Sequence, residues 1–183
     1  MAKVTTFSRK FPNYHIRKQQ PTLFVEKFLN SLEIDYKSDS YLSHLIDINA
    51  QKIASGKITT EQIVDFFDSL EDPVFEYKKH TMRQGFRYNQ GEKFSPRVWS
   101  GRPYFSPQII LTEDIEIVAL YDCVFIQSDI FLSINNFNYY PNGYDETIQK
   151  IAINDGLSVA DFKSWFNKPF NGQIICWKNV EYK

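Results

Sequence analysis

The spacing of apolar residues changes near residue 76, and this change constrains the fold more than any other feature of the chain. Before it, apolar residues recur at helical spacing in three stretches, 21–32, 41–53 and 59–70. Pro21 suits the first turn of the first helix, and Thr59 or Thr60 suits the cap of the third. The chain before residue 76 therefore predicts helices, preceded by a β-branched strand at 3–8.

Beyond residue 76 the chain has the composition of strands. Val, Ile, Phe and Tyr are concentrated in five runs, at 77–83, 93–99, 108–122, 124–128 and 130–140. Further on, 145–155 predicts a helix that stops at Gly156, 158–161 predicts a capping box, and 172–182 predicts a closing strand. Short strands with segregated helices predict an α+β fold that contains a small β-barrel or a curled sheet.

Length and composition bound the class of protein. A chain of 183 residues with 43% hydrophobic residues can bury a core, and 1–183 is predicted to be a single domain. The sequence has neither a membrane-length apolar run nor the apolar core of a signal peptide, so a cytoplasmic protein without membrane contact is expected. Cys123 and Cys176 have no metal-site spacing and are expected to be buried thiols. The three histidines are scattered, so neither a metal nor a cofactor is predicted.

Charge is strongly segregated, although the net charge is only −1. Residues 78–102 hold seven cations and one acid, whereas 103–183 hold five cations against ten acids. Between residues 76 and 104, aromatic residues interleave with these cations: Phe86, Tyr88, Phe94, Trp99 and Tyr104. Concentrated cations attract phosphates and rings stack on bases, so the segment predicts a surface for RNA or a nucleotide. The alternative is a set of solvated strand faces whose cations pair with the acidic remainder of the chain.

Three segments together resemble the ASCH family, whose fold is a β-barrel similar to the PUA domains of RNA-binding and RNA-modifying proteins. They are KKHTMR, then QGEKFSPRVWSG about ten residues later, and the distal IAINDGLSVADFKSWF. The family signature falls here on Lys78, Thr81, Arg83, Gly91 and Asp155. The resemblance covers 76–183 well and 3–32 loosely, which implies a PUA-like barrel with flanking helices and a helical insertion at 33–75.

The resemblance implies two kinds of function. Many ASCH members are assigned to RNA binding through a cleft that the signature lines. A small bacterial subgroup hydrolyses acetylcytidine with a Lys, a Thr and a Glu, which implies catalytic roles for Lys78, Thr81 and Asp155. The acid departs from that pattern, because Asp is one methylene shorter than Glu and must reach the nucleophile across a longer gap.

Strand geometry leaves the arrangement of these residues open. Residues three apart on a regular strand point to opposite faces, so Lys78 and Thr81 converge only if the strand bends between them. In a regular strand, Lys79, Thr81 and Arg83 share a face instead. Asp155, at the negative end of a helix dipole, either pairs with the cationic signature or belongs to a turn that stops the helix.

Three hypotheses follow, all placing the site in a cleft between 76–104 and the helices of 145–166. In the first, the cleft binds RNA or a modified nucleotide, with a ring from Phe86, Tyr88 or Trp99 stacking on a base. The phosphates would then contact Lys79, Arg83, Arg87 and Arg97. In the second, the protein is an amidohydrolase of acylated pyrimidine nucleosides. In the third, it is a protein-interaction module that docks a partner through 33–75. That segment is expected to pack outside the barrel and not to line the cationic cleft; the oligomeric state is left open.

Overall fold

A computed structural model shows an α+β protein. It describes residues 2–71, 77–126, 131–134, 137–139 and 141–182. Parts of four sequence predictions lie outside these ranges: residue 76 of the predicted cleft, 72–75 of the insertion, 127–128 of the strand run 124–128, and 130, 135–136 and 140 of the strand run 130–140.

The described residues form nine strands and six helices. In chain order these are β1 (Lys3–Phe7), α1 (Phe24–Ser31), α2 (Asp39–Ile48), α3 (Ala50–Ala54), α4 (Thr60–Asp68), β2 (His80–Gln84), β3 (Lys93–Trp99), β4 (Gln108–Ile110), β5 (Ile115–Glu116), β6 (Ala119–Ile126), β7 (Phe131–Ile134), β8 (Phe137–Tyr139), α5 (Pro141–Asn154), α6 (Val159–Trp165) and β9 (Phe170–Cys176).

Contacts within the chain divide it into two compact units. The first unit comprises the described parts of Met1–Arg9, Thr22–Glu76 and Lys93–Ile115, and the second comprises Lys10–Pro21, Tyr77–Glu92 and Glu116–Lys183. That 1–183 works as a single domain stays a prediction.

The first unit is built on a mixed sheet. β3 lies between β1, with which it runs parallel, and β4, with which it runs antiparallel, and β5 also pairs with β3. Helix α1 packs on β1 through a stacked pair of rings, Phe7 and Phe28, whose centroids lie 4.6 Å apart. Both rings are buried, so this contact contributes to the core of the unit.

The segment predicted as an insertion packs on the open edge of β4. Buried Asn49 accepts a hydrogen bond from Ile110 N and donates one to Ile110 O, both at 3.0 Å. Lys52 donates from Nζ to Gln108 O at 2.5 Å. An edge strand presents unpaired backbone groups, and these side chains satisfy three of them. The helices of 33–71 are therefore an integral layer of the first unit.

Two predicted helix caps are confirmed. Thr59, and not Thr60, is the cap of α4, and Gln62 completes a capping box. Ser158 caps α6 by accepting from Asp161 N at 3.0 Å. The start of the first helix was predicted wrongly, because α1 begins at Phe24 instead of at Pro21.

The second unit is built on an antiparallel sheet in the order β2-β9-β6-β7-β8. Both sheets are open along the described strands, and no closed barrel is seen in the ranges that the structure covers. The α+β class is confirmed, and the PUA-like barrel stays a prediction.

Side-chain alternation gives the second sheet two distinct faces. His80 pairs with Cys176, and Thr81 pairs with Ile175. Two residues that pair across the strands share a side of the sheet, and successive pairs alternate, so these two pairs point to opposite sides. We call the side that carries His80 and Cys176 the helix face, because the end of α5 lies against it. We call the side that carries Thr81 and Gln173 the loop face, because the 85–92 loop is bonded to it.

Candidate functional site

Four buried polar side chains form a cluster on the helix face of the second unit: Lys78, His80, Asp155 and Tyr182. Lys78 Nζ donates to Asp155 Oδ1 at 2.5 Å and to Asp155 O at 2.7 Å. Lys78 is only 1% exposed and Asp155 4% exposed, so the ion pair is closed to solvent. The structure thus brings together two of the three residues for which the ASCH resemblance implies catalytic roles.

The ion pair ties the end of α5 to the entry of β2. Gly156, at φ +75°, ends the helix in the left-handed conformation. Free carbonyls at a helix end attract cations and N–H donors. Lys78 Nζ reaches the carbonyl of Asp155, and Lys79 N donates to Asn154 O at 2.7 Å. Asp155 therefore pairs with the cationic signature and also belongs to the turn that stops the helix, so both alternatives from the sequence hold.

His80 is fully buried between Asp155 and the C-terminal segment. Its Nδ1 lies 2.6 Å from the hydroxyl of Tyr182, which also has a hydrogen bond from the side chain of Asn154. Its Nε2 lies 3.6 Å from Asp155 Oδ1 and has no hydrogen-bond partner among the described residues. Burial, and then the neighbouring Lys78 charge, hold the pKa of His80 well below its usual value. The imidazole is therefore neutral in the folded protein.

The buried histidine is expected to make the free energy of unfolding decrease as the pH is lowered. Above about pH 6.5, His80 is neutral in both the folded and the unfolded chain and contributes no pH dependence. Below it, the unfolded chain takes up a proton that the folded chain excludes, so the free energy of unfolding falls by up to about 1.4 kcal/mol per pH unit. Urea unfolding between pH 7.5 and 5 measures this slope. The variant His80→Asn is expected to show a shallower slope, and an identical slope in both proteins would contradict the assignment.

Thr81 does not join the cluster. It is buried, pairs with Ile175 in the sheet and points to the loop face, whereas Lys78 and His80 both reach Asp155 on the helix face. The ladder between β2 and β9 extends one residue further, because Trp177 N donates to Lys79 O at 3.3 Å. The strand is therefore regular, and Lys79, Thr81 and Arg83 share the loop face, the second of the two arrangements that the sequence allowed.

On the loop face, Gln173 holds the 85–92 loop by its backbone. Its buried Oε1 accepts from Arg87 N and from Tyr88 N, both at 3.0 Å. Its Nε2 donates to Tyr88 O at 3.2 Å and to Asp122 Oδ1 at 3.4 Å. One amide therefore fixes three backbone groups of the loop.

The two ends of the loop are also fixed. Gly85, at φ +80°, donates to Asn171 O at 3.0 Å. Glu92 accepts from the backbone and the side chain of Asn89, at 3.1 and 2.9 Å. Gly91 N donates to Ile117 O at 2.9 Å. The loop is thus held along its length before any ligand binds.

The side chains of this region differ in their exposure. Arg87 is exposed and Phe86 is 57% exposed, whereas Tyr88 is buried at 7%. Lys79 and Arg83 are half-buried. Tyr88 was predicted to bind nucleic acid, and its ring faces inward; the ring that the loop offers to solvent is Phe86. The glycine before Phe86 in the sequence is the signal for a tight turn at this place.

The other two predicted binding residues belong to the first unit. Arg97 is half-buried and donates from Nε to Ser95 Oγ at 3.2 Å. The half-buried ring of Trp99 lies 5.4 Å from the ring of Tyr104. Within the same unit, the Arg97 charge helps burial to lower the pKa of Lys52 to about 8. The insertion was expected to pack outside the barrel and not to line the cationic cleft, and this stays a prediction. Lys52 of the insertion lies close enough to Arg97 for the two charges to interact.

The sequence predictions about the cysteines, metal sites and membrane spans can be compared with the described residues. Cys123 and Cys176 are buried free thiols, as expected, and burial raises the pKa of each to about 12. No group of three His, Cys, Asp or Glu side chains in the described ranges is arranged to hold a metal ion. No described helix combines the length and the apolar character that crossing a membrane requires.

Comparison with known proteins leaves the family open. No family model matches the chain, and no significant match is found among curated proteins or solved structures. Membership of the ASCH family therefore stays a prediction.

Proposed function

We propose that the second unit binds single-stranded RNA or a nucleotide on its loop face, within the PUA-like architecture that the ASCH resemblance implies. The observation that carries the proposal is the anchored 85–92 loop, which exposes Arg87 and Phe86 while Gln173 holds its backbone. Arg83 and Lys79 extend the cationic surface along β2 on the same face.

The physics of single-strand recognition fits this surface. Proteins bind single strands with cations along the phosphates and with exposed rings on which bases stack. A loop that is ordered before binding loses little conformational entropy on binding, so more of the contact energy appears as affinity. Arg87 and Phe86 are adjacent in the chain and exposed, which offers one phosphate contact and one stacking ring at the same place.

The geometry favours binding over amide hydrolysis. A lysine can accept a proton from a threonine hydroxyl only when its amine is neutral, and the ion pair with Asp155 favours the charged ammonium. Thr81 also points away from this lysine, to the opposite face of the sheet. Nucleophile and base are therefore not in a position to exchange a proton.

Binding is expected to weaken steeply with salt. Three phosphate contacts, from Lys79, Arg83 and Arg87, give a log–log slope of about −2, at about −0.7 per contact for single strands. Fluorescence anisotropy of a labelled 12-nucleotide RNA between 25 and 300 mM KCl measures the slope. Arg87→Ala is expected to lower affinity and to flatten the slope by about 0.7.

Lys150→Ala is the matched control, because it also removes one exposed cation of the second unit. Lys150 lies on α5, whose end packs on the helix face. The RNA affinity of Lys150→Ala and the slope of its salt dependence are expected to equal those of the parent. Equal losses in both variants would indicate an unspecific charge effect, and salt-independent binding would contradict the proposal.

No deacetylation of acetylcytidine is expected, because Thr81 and Lys78 lie on opposite faces. Purified protein is incubated with the nucleoside, and the products are separated by chromatography. Turnover that disappears in Thr81→Ala but persists in Thr81→Ser would overturn the proposal and favour the hydrolase.

A further inference from the structure

The loop between β3 and β4 in the first unit is held in one shape by its own hydrogen bonds. Ser106 is the centre of the network: its Oγ accepts from Gly101 N and donates to Arg102 O, both at 2.9 Å. Its backbone N also donates to Arg102 O, at 3.0 Å. At the base of the loop, Ser100 N donates to Pro107 O at 2.9 Å. The tip is therefore ordered by its own contacts.

This ordered tip presents two large rings to solvent. Tyr104 is 86% exposed and Phe105 is 75% exposed, the two highest values among the exposed large apolar side chains described. The guanidinium of Arg102 lies 4.3 Å from the centre of the Phe105 ring. Trp99 lies beside Tyr104, with ring centroids 5.4 Å apart. Rings with this exposure contribute little to the core of the unit.

The backbone at Tyr104 is strained. Its φ is +67°, in the left-handed region that favours glycine and disfavours side chains with a Cβ. A tyrosine here lowers stability through backbone strain, and its exposed ring does not offset that strain by burial. Strain of this kind collects at functional sites, where the side chain serves something other than the fold.

The surroundings of the loop are cationic. Residues 93–112 contain Lys93, Arg97 and Arg102 and no acid. From the neighbouring helix, Lys52 donates a hydrogen bond to Gln108 O of β4. Its ammonium therefore lies against the strand that pairs with β3, the strand that carries Arg97. Burial, and then the charges of Arg97 and Lys57, lower the pKa of Lys52 to about 8, so positive charges lie close to one another here.

We propose that this loop is a second contact for single-stranded RNA, with bases stacking on Tyr104 and Phe105 and with phosphates at Arg102 and Arg97. Exposed rings among cations favour a partner that is both planar and anionic, which single-stranded nucleic acid is. The inference rests on the proposed function for the ligand class, but its residues belong to the other unit and are tested separately.

The test compares the affinity of the full-length protein and its variants for a labelled 12-nucleotide RNA at 50 mM KCl. Tyr104→Gly and Phe105→Ala are each expected to lower affinity about 5- to 150-fold, the effect of losing one stacked base. Tyr14→Ala, which removes a ring that is 59% exposed in the second unit, is the control and is expected to leave affinity unchanged. Tyr104→Gly is also expected to unfold at the same temperature as the parent or higher, because glycine relieves the strain.

The outcomes separate this inference from the proposed function. Loss of affinity in Arg87→Ala but in neither loop variant would overturn the inference and leave the proposed function standing. Loss of affinity in the loop variants but not in Arg87→Ala would overturn the proposed function and leave the inference standing. A parent protein that does not bind RNA would overturn both the proposed function and the inference. Exposed rings beside cations also suit a membrane surface, so sedimentation with phosphatidylserine–phosphatidylcholine vesicles is measured in parallel. Vesicle binding that Tyr104→Gly abolishes, with RNA affinity unchanged, would overturn the inference.

Discussion

Replacing Lys78 with methionine is expected to lower the free energy of unfolding by about 3–5 kcal/mol, the cost of leaving one member of a buried ion pair uncompensated. Methionine has nearly the length of the lysine stem, so the change removes charge and hydrogen bonds more than volume. The carboxylate of Asp155 would then be buried beside a neutral imidazole, and the carbonyl at the end of α5 would lose its ammonium. For a chain of this size the melting temperature is expected to fall by about 6–20 °C.

Lys79→Met is the control for this change, since the same substitution is made one residue away. Lys79 is half-buried on the loop face, and it reaches α5 through its backbone N–H, which the substitution keeps. Its melting temperature is expected to stay within about 2 °C of the parent. If Lys78→Met and Lys79→Met have the same melting temperature, the ion pair does not specifically stabilise the fold, contrary to our account.

Replacing Gly172 with alanine is expected to destabilise the second unit by more than about 3 kcal/mol. A Cβ at this position would lie 2.1 Å from Arg83 O and 2.8 Å from Gln84 Cα, both backbone atoms of the neighbouring strand. A flexible side chain can move aside, but here β2 and β9 must separate where the 85–92 loop begins. The change is therefore expected to weaken RNA binding as well.

Gly101→Ala provides the comparison, because an added Cβ there would meet Ser106 Cβ at 3.5 Å, an ordinary contact. Thermal unfolding of the two variants is expected to show a loss only for Gly172→Ala. A Gly172→Ala protein that melts like the parent would show that the two strands do not approach as closely as described.

Local signals were predictable from the sequence, and long-range pairings were not. The cap at Thr59 and the stop at Gly156 depend on residues within one turn, so short patterns identify them. The partnership between Lys78 and Asp155 spans 77 residues, and only the resemblance to a family placed them in one site.

The arrangement around β2 could not be fixed from the sequence because one residue of register reverses every side chain. Lys78 and Thr81 share a face if the strand bends and oppose each other if it is regular, and the regular ladder to β9 decides the matter. The role of Gln173 was also hidden. A glutamine within a strand gives no sign that it bonds the backbone of a loop 85 residues away.

The measurement that tests the central claim most directly is RNA binding by the double variant Lys78→Met/Asp155→Leu. Replacing a buried ion pair with apolar residues of similar size is often neutral or stabilising, so the variant is expected to fold. If the cluster only supports the fold and the loop face binds RNA, its affinity for the 12-nucleotide RNA is expected to lie within about twofold of the parent, a difference below about 0.4 kcal/mol. A folded double variant, with the circular dichroism spectrum and melting temperature of the parent, that no longer binds RNA would contradict the account, because the buried cluster would then belong to the binding site.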